Sequence, residues 1–262
     1  MEIFSLLYTL TGTAFTLAMT CLGAGLVFLF RHPTEIATKL SLGFAAGIMI
    51  GASVWSLLIP AMDMAERMDT TPFIPAAVGF VLGAGFLMLL DNVMPHLHIG
   101  ATVAEGPKSH LDKQSLLFLA ITIHNIPEGM SVGLAFAAAS AMPGETIASA
   151  VALAIGIGIQ NIPEGAAVSL PMHGSGHTRL KSFALGSISG IVEPVAAVIA
   201  VVLAFYFLPI MPYLLSFAAG AMLYVVVEEL IPEAKLGDHS DMGTVSVLCG
   251  FLIMMLLDTS LG

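Results

Sequence analysis

The chain is 262 residues long, 57% hydrophobic and 10% charged, with a formal net charge of −10 and a mean hydropathy of +0.96. Soluble domains carry about 25% charged residues, so the composition excludes an ordinary soluble domain and indicates a multi-span membrane protein. Eight Lys and Arg against 18 Asp and Glu argue against a nucleic-acid partner, and Cys21 and Cys249, each inside an apolar run, argue against a disulfide framework or a thiolate metal site.

The N-terminus offers Glu2 in place of a basic segment, and its first apolar run is too long for a signal peptide. Runs of about 20 apolar residues, the length that crosses a bilayer core, occur at 5–30, 38–61, 73–95, 114–139, 146–171, 181–207, 212–234 and 242–261. The expected fold is all-α: one polytopic transmembrane domain, residues 1–262, of eight helices. Arg31 and Lys39 flank the first connector, Lys108 and Lys113 the third, Arg179 and Lys181 the fifth, and Lys235 the seventh. Only Arg67 falls in an even-numbered connector. Basic loops stay in the cytoplasm, so the odd connectors are expected inside and both termini outside. Seven of the eight histidines (His32, His96, His98, His110, His173, His177 and His239) lie in or beside the same connectors, notably the loop at about 96–113. They suit either a loose metal-handling or pH-sensing surface, or simply polar loops that tolerate His.

In chain order, span 2 places Met49, Ser56 and Asp63 seven residues apart. On a helix they form one stripe, either a cation route from the outer mouth or a packing face. Span 3 ends in GFLMLLD, whose Asp91 is either part of an inner exit or an ordinary interfacial carboxylate. Span 4 carries HNIPEG at 124–129, and span 5 carries QNIPEG at 160–165. Span 6 contains Glu193-Pro194, and span 7 adds Glu228 and Glu229, further candidates for the inner exit. FAAGIM (44–49) in span 2 returns as FAAGAM (217–222) in span 7, each continuing to a Leu-Ile-Pro, while GFLMLLD returns in span 8 as GFLIMMLLD (250–258). These matches predict an inverted repeat of helices 1–3 and 6–8 around central helices 4 and 5, an architecture that puts transporter sites near the membrane midplane.

The hexapeptides have the makings of a binding site. Residues four apart share a helix face, so His124 can join Glu128, and Gln160 can join Glu164, with Asn125 and Asn161 about 100° round. Pro127 and Pro163 lack the N–H that the carbonyls of Ile123 and Ile159 would accept, which predicts a kink and a freed carbonyl in each helix. Gly129 and Gly165 allow close helix approach. At 1.5 Å per residue Glu128 lies about 22 Å beyond Lys113 and Glu164 about 28 Å beyond Glu145, so the two depths overlap. Glu128, Glu164, Glu193, Glu228 and Glu229 are embedded with no Lys or Arg inside any span. An unpaired carboxylate in a bilayer costs several kcal/mol or more, so a divalent cation, proton chemistry or both must offset the charge. Imidazole with carboxylates and amide oxygens suits Zn²⁺, Fe²⁺ or Mn²⁺ better than Ca²⁺ or Mg²⁺. The weak amide ligands favour release over permanent retention, and Glu164 has room to bridge two ions.

HNIPEG in span 4, a second xNxPEG in span 5, a Glu in span 6 and a His-bearing loop after span 3 resemble the ZIP (Zrt-, Irt-like protein) divalent-metal transporters, in particular their bacterial GufA-like branch. The resemblance extends over essentially the whole chain. It implies that His124, Asn125, Glu128, Gln160, Asn161, Glu164 and Glu193 line a midmembrane, binuclear metal site. It further implies uptake into the cytoplasm, an elevator-like movement of helices 1, 4, 5 and 6, and residence in a bacterial inner membrane. Many family members place His or Asp where this chain has Gln160 or Asn161, which weakens the second metal position.

No catalytic cofactor is expected, and the divalent metal is cargo: Zn²⁺ first, with Fe²⁺, Mn²⁺ and Cd²⁺ as competitors. Two other functions share these residues, an intramembrane zinc-dependent hydrolase and a proton-coupled metal exporter. The hydrolase lacks HEXXH, a nucleophile and an oxyanion donor. Faces rich in Gly and Ala join helices either within one protomer or across a homodimer.

Overall fold

The computed structural model describes residues 2–30, 34–97, 106–141, 146–235 and 241–261, and it is helical throughout, with no strand element among them. The helices are α1 (Glu2–Gly25), α2 (Glu35–Arg67), α3 (Phe73–Val93), α4 (Lys113–Ala141), α5 (Ile147–Gly174), α6 (Arg179–Tyr206), α7 (Leu208–Glu233) and α8 (Met242–Leu261). Seven of these columns are long and apolar enough to cross a membrane; the 29-residue α4, which carries HNIPEG, is not among the seven. The protein is an integral, multi-pass membrane protein. His32, His98, His239, Arg31 and Glu145 lie outside the described residues.

Helix starts follow local chemistry. Thr34, Thr146 and Thr178 are extended N-caps whose side chains accept the backbone N–H of Ala37, Ser149 and Lys181, satisfying donors that a helix leaves unpaired at its first turn. Both hexapeptide helices run on through Pro127 and Pro163 without a break.

Three columns depart from α-geometry. Helix α2 opens into a π-helical stretch at Ala52–Leu58, and α7 does so at Val226–Leu230, in each case ending on the Leu of its Leu-Ile-Pro. Helix α6 is interrupted between Ser189 and Val192, where Gly190 and Ile191 form a turn. Pro194 cannot donate to Gly190, and the Glu193 N–H turns to the Gly190 carbonyl at 3.1 Å. That leaves the Ser189 carbonyl free for a partner from another helix.

Glycines set the helix pairs. A Cβ at Gly83 of α3 would collide with the Phe217 carbonyl of α7, and one at Gly220 of α7 with the Phe80 carbonyl of α3. Helices α2 and α8 repeat the arrangement: Gly250 meets the Phe44 carbonyl, and Gly47 meets the Val247 carbonyl. Gly129 of α4 meets the Glu193 carbonyl of α6, and Gly165 of α5 meets the Thr20 carbonyl of α1. Backbone-to-backbone contact of this kind lets helices pack where lipid supplies no hydrophobic drive. The side chains that remain, including Leu42, Met49, Leu134, Leu153, Ile157 and Met222, fill one continuous core.

Candidate metal centre

Four helices bring their polar residues to one chamber. Helix α4 supplies His124, Asn125 and Glu128, α5 supplies Gln160, Asn161 and Glu164, α6 supplies Glu193, and α7 supplies Glu229. All eight are buried. The Glu128 carboxylate faces Gln160, Glu164 and Glu193, and Glu164 also feels Glu193 and Glu229. His124 Nε2 lies 3.0 Å from Glu229 Oε1, an ion pair only when the imidazole is protonated.

The asparagines are engaged on one side only. Asn125 donates to the Ser189 carbonyl at 3.0 Å, the acceptor that the break in α6 released. Asn161 donates to Glu193 Oε1 at 2.8 Å, to Thr20 Oγ1 at 3.1 Å and to the Thr16 carbonyl at 3.3 Å. The Thr20 hydroxyl in turn donates to Glu193 Oε1 at 3.4 Å. These contacts orient each amide with its oxygen towards the chamber. Buried oxygens without a hydrogen-bond partner then accumulate there: Asn125 Oδ1, both oxygens of Glu128, Gln160 Oε1, Asn161 Oδ1, Glu164 Oε2 and Glu193 Oε2. Buried polar atoms are normally paired, and an unpaired carboxylate is costlier still. Gln160 Nε2 and His124 Nε2 are likewise without a hydrogen-bond partner, so the cluster is rich in unsatisfied polar atoms, most of them acceptors. Among the described residues, however, no three His, Cys, Asp or Glu side chains stand at the spacing of a preformed metal site.

The remaining candidates are spread along the bundle. Ser56 donates to Asp258 Oδ1 at 2.7 Å, and both line a cavity of about 80 Å³ with Trp55, Thr146, Ser149 and Leu215. Met49 lies in the core instead, and Asp63 is exposed on α2. The π-helical stretch explains the divergence, because its wider turn takes Ser56 and Asp63 out of the strict seven-residue stripe that begins at Met49. Between this cavity and the chamber stand Met49, Leu134, Leu153 and Ile157, all fully buried. Ala150, on the cavity wall, is about 15 Å along α5 from Gln160. Asp91 of α3 is buried, 4.0 Å from His96 and facing Tyr224, while Glu228 is exposed on α7. Of the two neighbouring acids in α7, only Glu229 reaches the chamber.

Sequence reasoning passed over the contribution of α1. Ser5, Thr9, Thr13, Thr16 and Thr20 are all buried, and they recur every three or four residues, one face of the helix. That hydroxyl periodicity inside an apolar run was the available signal. Asp258 was visible only as the end of a repeated heptad-like string, with nothing in the sequence to pair it with Ser56.

The chain matches a protein-family model described as ZIP Zinc transporter over residues 98–258. It is 40% identical to "Zinc transporter ZIP11" of Homo sapiens, with 98% of each chain covered. It is 37% identical to "Zinc transporter GufA" of Myxococcus xanthus, covering 97% of this chain and 96% of that one. Against "Zinc transporter ZIPB" of Bordetella bronchiseptica the identity is 36%, over 97% of this chain and 82% of the relative. With its paired xNxPEG helices packed around a buried chamber of unpartnered oxygens, the chain belongs to the ZIP family, whose members are zinc transporters and not enzymes.

Proposed function

We propose that this protein carries Zn²⁺ across a bacterial inner membrane into the cytoplasm, binding it at the chamber formed by His124, Asn125, Glu128, Gln160, Asn161, Glu164 and Glu193. The observation that carries this reading is the set of buried, unpartnered oxygens contributed by six of those residues, with the His124 imidazole beside them. Imidazole among carboxylate and amide oxygens suits Zn²⁺, with Fe²⁺, Mn²⁺ and Cd²⁺ as competing cargo. Glu128 and Glu164 face each other and lie between the two halves of the site, so a carboxylate bridge would hold two ions. Weak amide donors fit a site that lets its ion go.

Orientation follows from exposure and charge. His124, Glu164 and Glu229 are 6%, 8% and 5% exposed, whereas Glu128, Gln160, Asn161 and Glu193 are at 0%. Those three are the site residues displaced towards the Lys113, Gly174 and Glu233 ends of their helices. The positive-inside rule makes that end cytoplasmic and sets both termini outside, with α4 as the eighth span. The Ser56–Asp258 cavity then lies at the outer mouth, sealed from the chamber by the Met49–Ile157 layer, and Asp91 lies towards the inner side. On this reading the chamber lies nearer the inner end of the bundle, with the Met49–Ile157 layer on its outer side.

The repeated glycine contacts support an inverted repeat. Gly83–Phe217 corresponds to Gly250–Phe44, and Gly220–Phe80 to Gly47–Val247. The matching π-helical stretches fall at equivalent positions. The same pairing separates α1, α4, α5 and α6 from α2, α3, α7 and α8, two groups suited to sliding against each other as an elevator. The direct test is Zn²⁺ uptake by proteoliposomes loaded with a metal-sensitive dye. Flux is expected in the wild type and lost in Glu128→Gln; undiminished flux in that variant would remove the chamber from the transport path.

A further inference from the structure

Glu193 does not present its carboxylate freely. Oε1 accepts from Asn161 Nδ2 at 2.8 Å and stands 3.4 Å from the Thr20 hydroxyl, whose single proton is shared with the Thr16 carbonyl at 3.2 Å, while Oε2 is buried with no hydrogen-bond partner. Asn161 also donates to Thr20 Oγ1 at 3.1 Å, so Thr20, Asn161 and Glu193 form a closed triangle. Thr20 is itself fixed in place. Its carbonyl abuts Gly165, its side chain fills the space at Gly190, 2.9 Å from where a Cβ would lie, and it is 1% exposed.

Thr20 and Glu193 also hold equivalent places. The glycine that closes HNIPEG packs on the Glu193 backbone, and the glycine that closes QNIPEG packs on that of Thr20. They lie 173 residues apart, the same interval that separates FAAGIM from FAAGAM. One position carries the carboxylate, and the other carries the hydroxyl that restrains it.

The consequence concerns denticity. With Oε1 held by Asn161 and drawn further by the shared Thr20 proton, the carboxylate offers a cation chiefly its other oxygen. Zn²⁺ prefers few ligands at short range and is well served by a single oxygen, whereas ions of higher oxygen coordination, Mn²⁺ among them, gain from a chelating carboxylate. We infer that Thr20 is a selectivity-determining residue: its hydroxyl, with Asn161, keeps Glu193 monodentate and so favours Zn²⁺ over Mn²⁺. This rests on the reading of Glu193 as a ligand to the transported ion.

The test compares initial rates of Zn²⁺ and Mn²⁺ uptake in proteoliposomes for the wild type, Thr20→Val, Thr20→Ala and Thr20→Ser. Thr20→Val keeps the shape and removes the hydroxyl, so the Mn²⁺/Zn²⁺ ratio of kcat/KM is expected to rise about three- to tenfold, the range one hydrogen bond supports. Thr20→Ala, which also relieves crowding at Gly190, is expected to shift the ratio the same way if Val proves unstable. Thr20→Ser should restore the wild-type ratio. Equal losses for both metals, with the ratio unmoved in the Val and Ala variants, would overturn the inference and leave Thr20 a packing residue. A Glu193→Gln variant run alongside separates the two readings: if it loses Zn²⁺ uptake while the Thr20 variants leave the ratio unmoved, only the selectivity role fails. If Glu193→Gln transports as the wild type does, the ligand reading itself fails.

Discussion

His124 Nε2 lies 3.0 Å from Glu229 Oε1, so the imidazole of α4 meets a carboxylate from α7. A cation that recruits His124 must compete with that carboxylate. Glu229→Gln removes the competitor's charge, and a tenfold change in affinity corresponds to about 1.4 kcal/mol. The KM for Zn²⁺ is expected to fall by about tenfold, and kcat to fall with it as release slows. Initial rates over a range of Zn²⁺ concentrations check this. A raised KM at unchanged kcat would instead make Glu229 a ligand in its own right.

Glu128 is buried, and neither of its carboxylate oxygens has a hydrogen-bond partner. Gln matches the size of the carboxyl side chain but cannot become an anionic ligand. Glu128→Gln is therefore expected to leave the metal-free protein's Tm unchanged or raised while reducing Zn²⁺ uptake by at least about a hundredfold. Thermal unfolding in detergent, read beside the flux assay, tests both. A lowered Tm would mean that the carboxylate stabilises the fold and is not held in readiness for an ion.

Protons and Zn²⁺ compete for the same oxygens. Metal ligands bind in their deprotonated form, so loading the chamber releases whatever protons the carboxylates and His124 carry. The sign follows: affinity weakens as pH falls and strengthens as it rises. Calorimetry of Zn²⁺ binding in buffers of different ionisation enthalpy measures the protons released. More protons released per ion are expected at low pH than at high pH.

The Gly129 contact allows a steric test. A Cβ there would meet the Glu193 backbone, whereas one at Gly85 would meet nothing within 4 Å. Gly129→Ala is expected to push α4 from α6, at about 1–3 kcal/mol, lowering Tm and displacing Glu193 from the chamber. Gly85→Ala should leave Tm and flux close to wild type, and equal losses in both variants would show general sensitivity of the helices to substitution.

That α4 and α5 bring their polar residues together was legible from the four-residue spacing in the two hexapeptides, but their terminal glycines pack on α6 and α1 and not on each other's helix. Glu193 was legible as an acid ahead of a helix breaker. The break itself was not, since it needs Gly190 and Pro194 to act together, and its product is a carbonyl that only Asn125 on another helix makes visible. The stripe from Met49 to Asp63 assumed a regular α-helix, and the π-helical stretch at Ala52–Leu58 redirects it. Thr16 and Thr20 were hidden for a different reason: hydroxyls in an apolar helix usually bond to their own backbone, as most of those in α1 do here. Only three-dimensional contact with Asn161 and Glu193 separates Thr20 from the rest. Glu228 and Glu229 are adjacent in sequence, yet one step along the π-helical stretch sends one to the chamber and the other to the bundle surface.

The most direct test of the chamber as a transport site is dye-reported Zn²⁺ flux into proteoliposomes, with wild type, Glu128→Gln and Glu164→Gln measured at matched protein density and verified folding. The expected result is saturable wild-type flux that falls to the protein-free background in both variants. Variants that fold and carry Zn²⁺ at the wild-type rate would contradict it, and the buried oxygens of α4 and α5 would then need another occupant.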